Sequence, residues 1–147
     1  VPGWVVQKVV RSSPRKVVQV GLAFKPLTDD LRESPYLRTV ARLRAEGIAV
    51  AAFDPIVDAD GLIGANRAFV AATVPDLGEL LAPSLAEACE GADIVLLGTN
   101  DPGICEQLLA TTGLAVIDVS GMLSTQYEQR FRSRDAEGAG AYTGAVW

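Results

Sequence analysis

Two basic residues on one stretch of chain, Lys25 and Arg32, are the first place to look for chemistry. They sit in the run Phe24-Lys25-Pro26-Leu27-Thr28-Asp29-Asp30-Leu31-Arg32-Glu33-Ser34, which directly follows a nearly continuous apolar segment. Lysine supplies a point charge and arginine a planar fork, so the pair suits two different phosphate or carboxylate groups. The residues alone also allow a plainer arrangement, in which Arg32 pairs with Asp29 or Asp30 to brace the loop and Lys25 stays solvated. The other chemistry-bearing residues are sparser. Asp54 and Asp101 each precede a proline and read as a turn residue and a helix N-cap, and Asp118 has no evident partner in the sequence. Cys89 and Cys105 lack any CxxC spacing for zinc or thiol exchange and read as buried, reduced thiols.

Composition narrows the chemistry further. The 147 residues include no histidine, which removes Ser/His and Cys/His nucleophile pairs, a histidine base and histidine-containing metal sites from a chain acting alone. With 13 basic and 18 acidic residues the net charge is −5, against the broad positive field of nucleic-acid binders. Hydrophobic residues are 49% and charged residues 21%, a folded composition. No apolar stretch is long enough to span a bilayer, and the N-terminus lacks a signal-peptide pattern, so the expectation is a soluble cytoplasmic chain without membrane contact. The start at Val1 points to a fragment or a processed chain.

Positioning the loop falls to alternating elements. An amphipathic run with Trp4, Val5, Val6, Val9 and Val10 ends at Ser12-Ser13-Pro14 and reads as the tail of an upstream helix. Lys16–Phe24 and Ile48–Phe53 read as buried parallel strands. Between them lies a helix with Ser34 as N-cap, Pro35 at its first position and Gly47 as terminator. Residues 57–83 carry mixed signals, with a turn of helix expected around Asn66–Thr73. Ser84 caps a short helix ending at Gly91, Ile94–Thr99 is a third strand, Asp101-Pro102 opens a helix to Ala110, and Ala115–Val119 is a fourth strand. From Arg130 to Trp147 the expectation is a surface helix followed by a tail. The fold class is therefore α/β, a Rossmann-like open and mainly parallel sheet with helices on both faces. Ligands of such sheets bind beyond the strands' carboxyl ends, which is where the Lys25 loop lies. A dinucleotide site would carry GxGxxG there, and this chain has only Gly21, so it lacks the usual pyrophosphate cradle. A phosphoacceptor receiver domain shares the fold, with Asp29, Asp30 and Asp54 in roughly suitable places. It also needs a lysine after a late strand, and the lysines here are Lys8, Lys16 and Lys25.

The string AFKPLTDDLRESP resembles the FKxxTxDxRES signature of the UDP-glucose/GDP-mannose dehydrogenase family. The similarity extends through Gly47, Asp54-Pro55 and the ADIVLLG stretch at 92–98. Gly64-Ala65-Asn66-Arg67, the segment Pro75–Leu81, Gly98-Thr99-Asn100-Asp101 and the terminal Trp147 look more like the GDP-mannose branch than the UDP-glucose branch. The resemblance implies that residues 15–147 form the C-terminal nucleotide-sugar-binding domain and that residues 1–14 are the end of a dimerisation helix and a linker. It implies an oxidoreductase that converts a sugar C6 alcohol to a carboxylate in successive NAD-dependent steps, on a cysteine in a GGxCxxKD motif that neither Cys89 nor Cys105 occupies. By the same resemblance Lys25 contacts the nucleotide sugar, with GDP-mannose favoured and a UDP-sugar the alternative, and Phe24 lines the same cleft. Arg32 reaches NAD held by another domain of the enzyme. The remaining domains, a homodimer or larger assembly and a uronic-acid exopolysaccharide pathway are the implied partners and context. The chain alone is expected to be inactive. A nucleotide-binding module without catalysis is the rival reading.

Overall fold

The computed structural model describes residues 1–25 and 27–144. Pro26 and Trp147, the latter one of the branch-type residues named above, lie outside the described residues. Helix α1 (Gly3–Arg11) buries Val5, Val6 and Val9, the spacing of one helical face, and Pro2 precedes it. Strand β1 (Val17–Val20) follows, then α2 (Pro35–Ala45), β2 (Val50–Phe53), a single 3-10 turn (Ala59–Gly61), α3 (Gly64–Thr73), α4 (Leu77–Leu80) and α5 (Leu85–Cys89). The chain continues through β3 (Ile94–Leu97), α6 (Pro102–Ala110), β4 (Ala115–Asp118), α7 (Thr125–Ala136) and β5 (Tyr142–Thr143).

The five strands pair in parallel in the order β2-β1-β3-β4-β5. Alternate residues of each strand feed two cores. Val17, Ile94, Leu96 and Ile117 pack with the apolar faces of α1, α2 and α3, and Val18, Val20, Val95, Leu97 and Val116 pack with α5, α6 and α7. Burial on both faces explains why the strands are nearly continuously apolar. The chain therefore reverses its direction of winding between β1 and β3, and a crevice opens there beyond the carboxyl ends of both strands.

The capping chemistry of α2 is as the sequence predicts: the Ser34 hydroxyl accepts from the Leu37 amide at 3.2 Å, Pro35 opens the helix, and Gly47 adopts φ 82° after its end. Other boundaries differ. β1 stops at Val20 rather than Phe24, because Gly21 turns the chain at φ 84°. The connection around Asn66 holds a ten-residue helix rather than a turn. Helix α7 begins at Thr125, with Ser124 accepting from the Tyr127 amide, five residues before the expected start. The expected tail contains β5, whose Tyr142 and Thr143 pair with Val116 and Ile117. Gly140 lets the backbone pass over the buried Arg134 guanidinium to reach that edge, since a Cβ there would overlap Arg134 and the Leu114 carbonyl.

Candidate functional site

The loop between β1 and α2 is pinned at its base by two contacts, one buried and one partly buried. Ser34 donates its hydroxyl to the Leu22 carbonyl at 2.5 Å, and the Asp54 carboxylate accepts the Leu22 amide at 2.9 Å. Asp54 also accepts the Ile56 amide at 3.0 Å, so it is the turn residue the sequence predicts and a brace for the loop as well. Between these ends the loop is long, and its ends are close. Leu31 anchors it, fully buried against the α2 side of the sheet.

A cleft of about 240 Å³ opens at the crossing of β1 and β3. Gly21, Lys25, Asp54, Gly98, Asn100 and Asp101 are among its walls. Gly21 and Gly98 meet across its floor. A Cβ on Gly21 would stand 3.0 Å from the Gly98 carbonyl, and one on Gly98 would stand 2.9 Å from Gln19 Nε2 and 3.1 Å from the Gly21 carbonyl oxygen. The N-terminus of α6 borders the same cleft, with its Asp101 N-cap accepting the Ile104 amide at 3.0 Å, as predicted. Both carboxylates of the cleft are thus engaged by backbone amides.

Phe24, Lys25 and Arg32 come together on an adjoining concavity of about 490 Å³, which Asp30, Ala65 and Phe69 also line. Lys25 borders both spaces. Among the described residues it has no ion-pair partner, although its charge is the smallest of the influences that hold the Asp30 carboxyl down. Arg32 is different: its guanidinium forms a bidentate pair with Asp30, at 2.9 Å through Nε and 2.8 Å through Nη2. The pair holds the Asp30 carboxyl down at about 2, with the Arg32 hydrogen bonds as the leading cause. Bracing of Arg32 by Asp30, one of the arrangements the sequence allows, is therefore present. Phe24 is half-exposed, and its ring lies 6.2 Å from the buried Tyr36 ring at a tilt of 48°. Leu27 and Ile56 add exposed apolar surface nearby.

The structure changes the reading of Asp118 and Cys89, bears out that of Cys105 and gives Asn66 a role. Asp118 does have partners, since its buried carboxylate accepts the Ser120 amide and hydroxyl and the Gly121 amide at 2.9, 2.7 and 3.2 Å. Cys105 is fully buried, and burial pushes its thiol up to about 11, whereas Cys89 is only half-buried. Asn66, which sequence reasoning gave no role, reaches the loop with its side chain: Oδ1 accepts the Leu31 amide and Nδ2 donates to the Asp29 carbonyl, each at 2.8 Å. The partners are 35 and 37 positions away, so no local pattern signals them. No group of histidine, cysteine or acidic residues among those described is arranged to hold a metal ion, and no helix among them is long and apolar enough to cross a membrane.

Strand order, two-sided helical cover and a cation-bearing cleft at the β1/β3 crossing define a doubly wound α/β domain of the Rossmann-like type. Residues 18–125 match the model of the UDP-glucose/GDP-mannose dehydrogenase family, UDP binding domain, and the chain belongs to that family. It is 36% identical over 111 residues to GDP-mannose 6-dehydrogenase of Pseudomonas putida, covering 75% of this chain and 25% of that protein. The corresponding protein of Azotobacter vinelandii is 37% identical over 74% of the chain and 25% of its own length. UDP-glucose 6-dehydrogenase of Pseudomonas aeruginosa is 39% identical over 58% of the chain and 18% of its own length. In structure, the chain superimposes on GDP-mannose dehydrogenase from Pseudomonas aeruginosa, solved as a ternary complex, with a TM-score of 0.67 and 29% identity over 97% of this chain and 31% of that one. The chain spans about a quarter of the length of the curated GDP-mannose 6-dehydrogenases it matches.

Proposed function

We propose that this chain is the nucleotide-sugar-binding part of an NAD-dependent nucleotide-sugar 6-dehydrogenase acting on GDP-mannose. Residues 15–147 form the binding domain, and residues 1–14 are the end of an upstream helix whose Val5, Val6 and Val9 dock on it. The observation that carries the reading is Lys25: a lysine without an ion-pair partner among the described residues, bordering a strand-crossing cleft whose acids are engaged by backbone amides, in a chain of net charge −5. A diphosphate placed there meets one cation and the amide end of α6, both of which favour an anion.

Lys25 and the half-exposed Phe24 hold the nucleotide sugar, and the neighbouring Arg32 faces NAD carried by another domain. The nicotinamide cofactor supplies the hydride acceptor, and this chain contributes charge, shape and exclusion of water. It carries no GGxCxxKD segment and no GxGxxG loop, so by itself it binds without oxidising. Other domains and a second copy complete the enzyme.

Titration of the 147-residue chain with GDP-mannose, UDP-glucose, GDP, UDP and NAD, followed by amide NMR, tests this. Saturable binding of GDP-mannose ahead of UDP-glucose is expected. Lys25→Ala should weaken it about tenfold or more, since a charge-assisted contact is worth about 1.5–3 kcal/mol. No NADH should form. Absence of nucleotide-sugar binding, or sugar-dependent NAD reduction by the chain alone, would overturn the reading, and preference for UDP-glucose would move it to the other branch.

A further inference from the structure

We infer that Asn66 is a positioning residue for the Lys25–Arg32 loop, and that through it α3 sets the shape of the nucleotide-sugar site; the inference rests on the function proposed above. The side-chain amide of Asn66 does for the loop what a neighbouring strand does in a sheet. It accepts one backbone amide, Leu31, and donates to one backbone carbonyl, Asp29, at 2.8 Å each. These two groups flank Asp30, the residue that pairs with Arg32, and Leu31 itself is driven into the core.

A second contact from α3 reaches the far end of the loop. The Arg38 guanidinium lies 5.5 Å from the centre of the Phe69 ring and pairs with Glu33. Phe69 and Ala65, on the same helix, also line the concavity shared by Phe24, Lys25 and Arg32. The loop therefore has fixed ends at Leu22 and Ser34 and a fixed stretch at 29–31. Without Asn66 two backbone groups lose their partners, and the Asp30–Arg32 pair loses the frame that aims it.

The test uses the 147-residue chain in three variants. Asn66→Ala is expected to speed amide exchange at Leu31 at least tenfold, with strand amides such as Val18 and Leu96 unchanged, and to raise the GDP-mannose Kd about tenfold. Asn66→Asp keeps the acceptor for the Leu31 amide but sets a carboxylate oxygen against the Asp29 carbonyl and adds a negative charge beside the loop, so Leu31 exchange should stay closer to the parent chain than in Asn66→Ala while the GDP-mannose Kd still rises. Asp76→Ala removes the ion pair with Arg44, 2.5 and 2.7 Å, away from the loop, and should lower thermal stability without moving Kd. The inference is overturned by unchanged Leu31 exchange, by unchanged affinity in Asn66→Ala, or by an equal loss of affinity in Asp76→Ala, which would reduce the effect to stability. If the parent chain binds no nucleotide sugar, this inference and the proposed function fall together. If it binds and Asn66→Ala binds equally well, only this inference falls.

Discussion

Replacing Gly21 by alanine probes the point where β1, β3 and the candidate site meet. The residue has φ 84°, a conformation that costs an L-residue about 1–2 kcal/mol. Its new Cβ would also stand 3.0 Å from the Gly98 carbonyl carbon and oxygen and 3.1 Å from Thr99 Cβ. Most of that wall is backbone held in a parallel ladder, so relief requires β1 and β3 to part, an overpacking cost of about 1–3 kcal/mol. Together these give about 2–5 kcal/mol, or a fall in melting temperature of about 10 °C for a domain of this size. Gly47→Ala is the matched control, because Gly47 has φ 82° and nothing lies within 4 Å of the place its Cβ would take. It should cost only the conformational part, about 1–2 kcal/mol. Gly98→Ala supplies the complementary case, with crowding against Gln19, Tyr36 and Gly21 but no left-handed backbone. Guanidinium unfolding of the three variants reads the differences directly. If Gly21→Ala is no more damaging than Gly47→Ala, the close approach of the two turns is not what shapes the cleft floor, and the reasoning fails.

Two further outcomes follow from the charges and thiols. Because Arg32 holds the Asp30 carboxyl at about 2, the pair is intact above the ordinary carboxylate range and is lost as pH falls towards 2; an NMR titration in which Asp30 protonates near 4 would contradict the pairing. Burial pushes the Cys105 thiol up to about 11 and raises that of Cys89 as well, so both should alkylate slowly at pH 8 in the folded chain and quickly in denaturant, with Cys105 the slower of the two because it has no exposed surface. Rapid alkylation of Cys105 in the folded chain would show that its packing is wrong.

How much of this was legible in the sequence depends on how far apart the interacting residues lie. Helix α2 was readable because its signals are local: Ser34 caps it, Pro35 starts it and Gly47 ends it. The four longer strands were readable because burial on both faces leaves nearly continuous apolar runs. Helix α3 was under-read because it has no side-chain cap and Val70 is its only buried residue among those described, so its periodicity is faint. Strand β5 was missed because two residues carry no alternation, and the glycines beside it, of which Gly140 admits the backbone past Arg134, imitate a flexible tail. At the site, the two cations and the option of an Asp30–Arg32 pair were visible within a single loop. The Asn66 clamp joins residues more than thirty positions apart, and only the folded chain brings them together.

The acids around the cleft bear on the proposal that a chain of net charge −5 binds a diphosphate at this edge. Asp54 accepts the Leu22 and Ile56 amides, Asp101 accepts the Ile104 amide, and Asp30 is paired with Arg32. Each carboxylate thereby faces a donor of its own, and its field towards the cleft is partly cancelled at short range. Lys25 stands beside them with no carboxylate hydrogen-bonded to its ammonium among the described residues. Under the function proposed above, the uneven treatment of the two cations has a consequence. A ligand phosphate can meet Lys25 without first displacing a carboxylate, whereas any anion approaching Arg32 must compete with a bidentate partner that is already in place. On that proposal a diphosphate would meet Lys25 first, and recruiting Arg32 would require a second group that can compete with Asp30 or share the guanidinium with it.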